Sequence, residues 1–147
     1  MRLSGFLHFL VTGEPFSPRE INSVNDEINF SEAIDAHVGW KSRLTAALDQ
    51  RDAPPQLAHE AGDDCACALG RWMSGAGYRR YGHLASFAEV RSHHSRFHSL
   101  ARDIVELHRG GDAGRAHELV RGEFEEASRN IVAGLRRFSG VFEGSCG

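Results

Sequence analysis

The chain reads as an all-α protein, an antiparallel four-helix bundle with a short additional helix, on three observations. Two long segments in its second half repeat apolar residues at alternating spacings of three and four, a helix-start signature stands at Ser17-Pro18-Arg19-Glu20, and no segment shows the apolar/polar alternation of a strand. Internal repeats and low-complexity tracts are also missing from the sequence.

Residues 1–16 read as a leading arm rather than part of the bundle. Its apolar run, Leu3 to Val11, falls short of the roughly 20 residues a membrane helix needs. It also carries His8 and precedes the acidic, proline-containing Gly13-Glu14-Pro15-Phe16 without a small-residue cleavage site, which argues against a signal peptide. Ser17 as N-cap, Pro18 at the first helical position and Glu20 closing a capping box predict a helix from about residue 18. That helix runs either continuously to about Gln50 or with a break around Asn29-Phe30-Ser31, and Pro54-Pro55 ends whatever precedes it.

A linker follows, then a short helix from about Asp64 to Ser74 and a turn-rich stretch from Gly75 to Gly82. The next helix, about Leu84 to His108, places Phe87, Val90, His94, Phe97, Ala101, Ile104 and His108 on one seam. Gly110-Gly111-Asp112 supplies a stop and a new N-cap. The last helix carries Ala116, Val120, Phe124, Ala127, Ile131, Leu135 and Phe138 in the same rhythm. The bundle domain is therefore residues 17–142, with a tail at 143–147 in which Cys146 reads as an exposed free thiol.

With 147 residues, 41% of them hydrophobic, the chain can bury a core without a disulfide or metal scaffold. A formal charge of −3 and a pI near 6.3 give no concentrated basic patch for nucleic acid or an anionic membrane. Arg79-Arg80 and Arg136-Arg137 are too short to change that. Three cysteines, an odd number without a disulfide-like framework, fit a reducing compartment, so a cytoplasmic location is expected.

Chemistry concentrates in AIDAHVGW (Ala33 to Trp40), CALGRW (Cys67 to Trp72) and HSRFH (His94 to His98). Their His37, Cys67, His94 and His98 are donors of the kinds Zn²⁺ prefers, and four protein ligands close a tetrahedral site rather than leave a position for water. His94 and His98, four apart on one helix, share a face. An isolated pair of this kind is more often a hydrogen-bonded core feature, but His37 shares a stripe with Ile34, Leu44 and Leu48 and also faces inward. Three inward imidazoles in one small core are costly without partners.

Cys67 would stand in the first turn of the short helix if Asp64 is its N-cap, where the helix end favours thiolate; an inert buried thiol is the bland alternative. Gly70, on the same face, leaves room for a neighbouring helix, and Leu69, Trp72, Met73 and Ala76 form the core stripe. Cys65, two positions away, is chemically identical, and spacing alone leaves it a rival. His93 is rotated about 100° from His94 and reads as surface or supporting. His8, His59, His83, His108 and His117 share no spacing and default to solvated surface. Trp40 and Trp72 read as core packing close to the site, and Asp64 as a cap or a hydrogen-bond acceptor for an imidazole.

These residues resemble the chemoreceptor zinc-binding domain family of bacterial chemoreceptors and diguanylate cyclases, through HxxW (His37 to Trp40), CxLGxW (Cys67 to Trp72) and HxxFH (His94 to His98), in that order, over about residues 20–140. The resemblance implies a homodimeric helical bundle with one zinc per subunit on three His and one Cys, and it selects Cys67 over Cys65, which stands in an extra position. It also implies sensing of zinc, or of oxidants through the ligand cysteine. The sequence shows no receptor coiled coil, transmembrane segment or GGDEF cyclase motif, so the signalling partner is unspecified.

The resulting expectation is a non-enzymatic regulatory zinc protein, a likeness of chemotaxis or cyclic-di-GMP signalling modules, without nucleic-acid binding or membrane insertion. Zinc hydrolase chemistry fits poorly because HSRFH lacks the glutamate of HExxH and a fourth ligand fills the water position. Di-iron chemistry of the hemerythrin type needs bridging carboxylates that the sequence does not place. A structural zinc-stabilised dimerisation adaptor is the alternative.

Overall fold

A computed structural model describes residues 28–51 and 54–143. The described residues are all-α. Helix α1 spans Phe30–Leu48; Asn29 caps it, its side chain accepting from the Glu32 N–H at 3.0 Å. Of the two expected courses for the first helix, the break before Phe30 is therefore the one adopted. The helix expected from residue 18, the leading arm and Cys146 lie outside the described residues.

Two segments that read as linker and turn are helical. Helix α2, Pro55–Gly62, begins with proline at its first position and buries Leu57 and Ala61. The pair Pro54-Pro55 thus opens a helix, while α1 has already ended at Leu48. Helix α3 spans Ala68–Ser74 with Cys67, not Asp64, as its N-cap, and α4 covers Ala76–Tyr81 within the glycine-rich stretch. Gly77 is a packing position there rather than a turn: a Cβ on it would meet the Trp72 ring at 2.7 Å.

The long helix α5, Ala85–Arg109, matches its expected span closely and ends before Gly111, whose φ is +90°. Beyond Asp112, whose carboxylate caps Arg115 N–H, the last helix is α6 (Ala113–Leu119), one wide π turn (Val120–Phe124) and α7 (Glu125–Glu143). The sequence gives no sign of that wide turn.

Residue pairings fix the directions. Phe30 meets Phe138 and Lys41 meets Glu125, so α1 and α7 are antiparallel; Glu89 with Arg137 of α7 and Arg96 with Glu123 of the wide turn make α5 antiparallel to the last helix as well. All seven seam positions of the last helix are buried, as are those of α5 except half-buried His108. The core is aromatic at one end, where Trp72 packs on Phe30, Tyr81, Phe87 and Phe138 with centroids 5.9–6.1 Å apart. Its middle holds the only buried polar side chains among the described residues, His37, His94 and His98. No described helix is long and apolar enough to cross a membrane.

Candidate metal centre

His37 faces inward from the middle of α1 because it shares the buried stripe of Ala33, Trp40 and Leu44. Its Nδ1–H donates to the Ala33 carbonyl at 2.6 Å, one turn back. Since a carbonyl only accepts, the ring proton sits on Nδ1 and Nε2 keeps its lone pair. That Nε2 is buried and meets no hydrogen-bonding group.

His94 and His98 project from adjacent turns of α5, with ring centroids 4.5 Å apart. His98 Nδ1–H donates to the carbonyl of Ala61 on α2 at 2.8 Å, which turns its Nε2 toward His94 Nε2, 3.1 Å away. Cys67 Sγ lies 3.1 Å from the same His94 nitrogen. One donor atom from each of His37, Cys67, His94 and His98 falls within 4.8 Å of all the others. Four donors at ordinary zinc–nitrogen and zinc–sulfur lengths stand about 3.3–3.6 Å apart on a tetrahedron. The Cys67 Sγ–His94 Nε2 and His98 Nε2–His94 Nε2 edges, 3.1 Å each, are a few tenths of an ångström short of that spacing, and every other donor separation is within 4.8 Å.

Cys67 is placed by the loop before α3. Its sulfur accepts the Gly70 N–H at 3.3 Å in the manner of a cap, and Gly70 is glycine for a different reason from the one expected. A Cβ there would lie 1.6 Å from the Asp64 carbonyl oxygen, so the Asp64–Cys65 backbone, not a neighbouring helix, fills the space. Cys65 is exposed, with Sγ near Asp64 Oδ1 (3.7 Å) and Ser74 Oγ (3.8 Å), and stands outside the four-donor group. Geometry therefore separates two thiols that spacing left equivalent.

Burial holds all three imidazoles neutral. His94 is pushed down to about 2 by desolvation, with His98 and His37 adding to the fall. Desolvation also lowers His37 and His98, against the pull of the Ala33 and Ala61 carbonyls; at His98 the Asp64 and Asp63 carboxylates oppose it too. Asp64 thus acts on His98 by charge, and the acceptor expected of it is supplied by Ala61. Burial likewise raises the Cys67 thiol, outweighing the Gly70 and Leu69 N–H groups and Arg71. The expectation that the helix end makes it a thiolate is reversed, because desolvation is the larger effect.

The supporting shell comes from four elements. Phe97, fully buried, sits 5.1 Å from His37 and 5.5 Å from His98 by ring centroid and packs on Phe124 of the wide turn at 4.7 Å. Trp40 flanks His98 at 6.5 Å, covered outside by Arg43, which stacks on its ring at 4.1 Å and pairs with Glu60 of α2. Trp72 belongs to the aromatic end instead. His93 is half-buried beside Glu89, His59 and His83 are exposed, His108 bonds the Gln50 carbonyl and His117 the Ala113 carbonyl. Ala33 and Ala61 are the site residues that sequence reasoning missed, since a backbone carbonyl leaves no signature in residue type.

The donor set fits zinc: two soft-to-borderline ligand types, neutral imidazoles, and a buried His37 nitrogen that only a cation or a donor would satisfy. Residues 37–105, just under half of the chain, match the model of the chemoreceptor zinc-binding domain. All three motifs lie inside that match, which is shorter at both ends than the resemblance read over residues 20–140. No curated protein and no solved structure matches the chain significantly.

Proposed function

We propose, from the premise that residues 37–105 form a chemoreceptor zinc-binding domain, that this chain is a regulatory protein holding one Zn²⁺ on His37, Cys67, His94 and His98. The observation that carries the reading is His37 Nε2, a buried lone pair without a partner, converging with three other donors from α5 and the α3 cap. Zinc bound there supplies a cross-link between α1, α3 and α5 and a charge that favours the Cys67 thiolate. Four protein donors leave no position for a reacting water, which supports a role without catalytic turnover.

The sensing role rests on the contrast among the four ligands. Three imidazoles are set in long helices, whereas Cys67 is an oxidisable donor at the start of a seven-residue helix. Loss of that one donor loosens α3 and leaves the imidazoles in place, a local change that a partner can read. The reading places the protein in bacterial signalling of the chemotaxis or cyclic-di-GMP kind, in the cytoplasm, as a homodimer with a separate output protein. Elemental analysis of protein purified without added metal should return one zinc per chain. Cys67→Ala should abolish tight binding while Cys65→Ala leaves it largely intact; the reverse assigns the wrong thiol.

The alternative, a structural zinc adaptor, draws on the depth of the cluster, whose three histidines are each at most 2% exposed. Zinc release under mild oxidant separates the two readings, because an adaptor keeps its metal.

A further inference from the structure

Cys65 is absorbed neither by the donor cluster nor by the core. It is exposed in a tight turn closed by the Ala66 N–H to the Asp63 carbonyl at 3.1 Å, and Cys67 follows directly after that turn. The turn is further held by the Asp63 carboxylate on the Cys65 N–H and by Arg71 on the Ala66 carbonyl. Both sulfurs rest against one residue, Cys65 Sγ 3.7 Å from Asp64 Oδ1 and Cys67 Sγ 3.9 Å from the Asp64 carbonyl oxygen. Two residues of chain separate their Cα atoms by at most about 7 Å, an upper bound close to the roughly 4.4–6.8 Å that a disulfide spans.

One cavity exposes Cys65 and leads toward the neighbourhood of Cys67. A cavity of about 530 Å³ has Cys65, Asp64, Ser74 and Arg91 on its walls and reaches His94, whose Nε2 touches Cys67 Sγ. A small solute that enters past Cys65 therefore arrives at the edge of the donor cluster.

We infer that Cys65 is the resolving thiol for Cys67: oxidation of Cys67 ends in a Cys65–Cys67 disulfide rather than in higher sulfur acids. The inference rests on the reading that Cys67 is the oxidised donor of the site. In the first step the Cys67 thiolate attacks a hydroperoxide; an S–O bond forms, the O–O bond breaks, and the leaving oxygen takes a proton. In the second the Cys65 thiolate attacks the Cys67 sulfur; an S–S bond forms, the S–O bond breaks, and hydroxide leaves as water after protonation. With hydrogen peroxide, two thiols and one oxidant give one disulfide and two waters. A dithiol reductant reverses the product, whereas sulfinic acid on Cys67 would not return.

The zinc-loaded full chain and its Cys65→Ser variant are treated with stoichiometric hydrogen peroxide, quenched with N-ethylmaleimide and mapped by peptide mass without reduction. The wild-type protein should lose about 2 Da, yield a peptide closed between Cys65 and Cys67, and take zinc up again after dithiothreitol. Cys65→Ser should instead gain oxygen on Cys67 and recover much less zinc binding. If Cys67 gains oxygen in the wild type while Cys65 remains alkylatable, or if Cys67 pairs with Cys146, the resolving role is overturned and the sensing role stands. If oxidant leaves both thiols reduced and zinc bound, the sensing reading falls and the pair with it.

Discussion

The Nδ1–H of His98 donates to the backbone carbonyl of Ala61 at 2.8 Å, so the orientation of an imidazole on the central helix is set by a helix that carries no donor atom of the cluster. Ala61 is fully buried, and α2 packs it against α5. Enlarging it should displace the carbonyl while leaving all four proposed ligands unsubstituted. Ala61→Leu should cost about 1–3 kcal/mol from overpacking. It should also weaken zinc binding about 10–100-fold, the usual effect of losing a group that orients a ligand. Chelator competition measures the second effect; unchanged affinity in a folded variant would show that Ala61 does not orient His98.

The protonation states make a stoichiometric claim. His37, His94 and His98 are held neutral by burial, so they bind metal without releasing protons, while burial keeps Cys67 a thiol that must lose one. Zinc binding near pH 7.5 should therefore release about one proton per ion. Calorimetry in buffers of different ionisation enthalpy reads that number directly. Release near zero would mean that the thiol is not a ligand or is already ionised.

The same imidazoles fix the sign of the pH dependence in chelator-treated protein. Their folded values lie below the ordinary 6.5, so below that pH the unfolded chain binds more protons than the folded one and stability falls with pH. The loss should begin near pH 6.5 and continue well into the acid range, because His94 titrates only at about 2 in the folded chain. Its slope reaches at most about 1.4 kcal/mol per pH unit for each histidine. Urea midpoints at pH 7.5, 6.0 and 5.0 should fall in that order, and removing His94 with His94→Phe should flatten the trend. Equal midpoints would show that the histidines are not buried neutral.

What was legible in the sequence was periodic or chemical. The seams of α5 and of the last helix were readable because Phe87, Phe97, Ile104, Phe124, Ile131 and Phe138 recur at helical spacing, and each is buried. The four donors were readable because imidazole and thiol on apolar stripes are rare and costly. Features that depend on distant approach were not. Gly77 looks like a turn residue until the Trp72 ring is seen against it, and Pro54-Pro55 looks like a stop although it starts α2. Burial of Cys67 outweighs its capping position, a balance of magnitudes that the local sequence does not contain.

The site is read as a switch because its donors differ in how firmly the fold holds them. Helix α3 has seven residues, of which Leu69, Gly70, Trp72 and Met73 are buried, and it is anchored toward the cluster through Cys67 alone. The imidazoles instead sit in helices of 19 and 25 residues that pack along α7. Oxidation of Cys67 should therefore open α3 locally and leave the long helices closed. Hydrogen exchange before and after stoichiometric oxidant should show faster exchange across residues 64–74 and little change across 119–138. Unchanged protection everywhere with zinc retained would favour the structural adaptor, and loss of protection in α7 as well would mean that the thiol supports the whole bundle rather than one short helix.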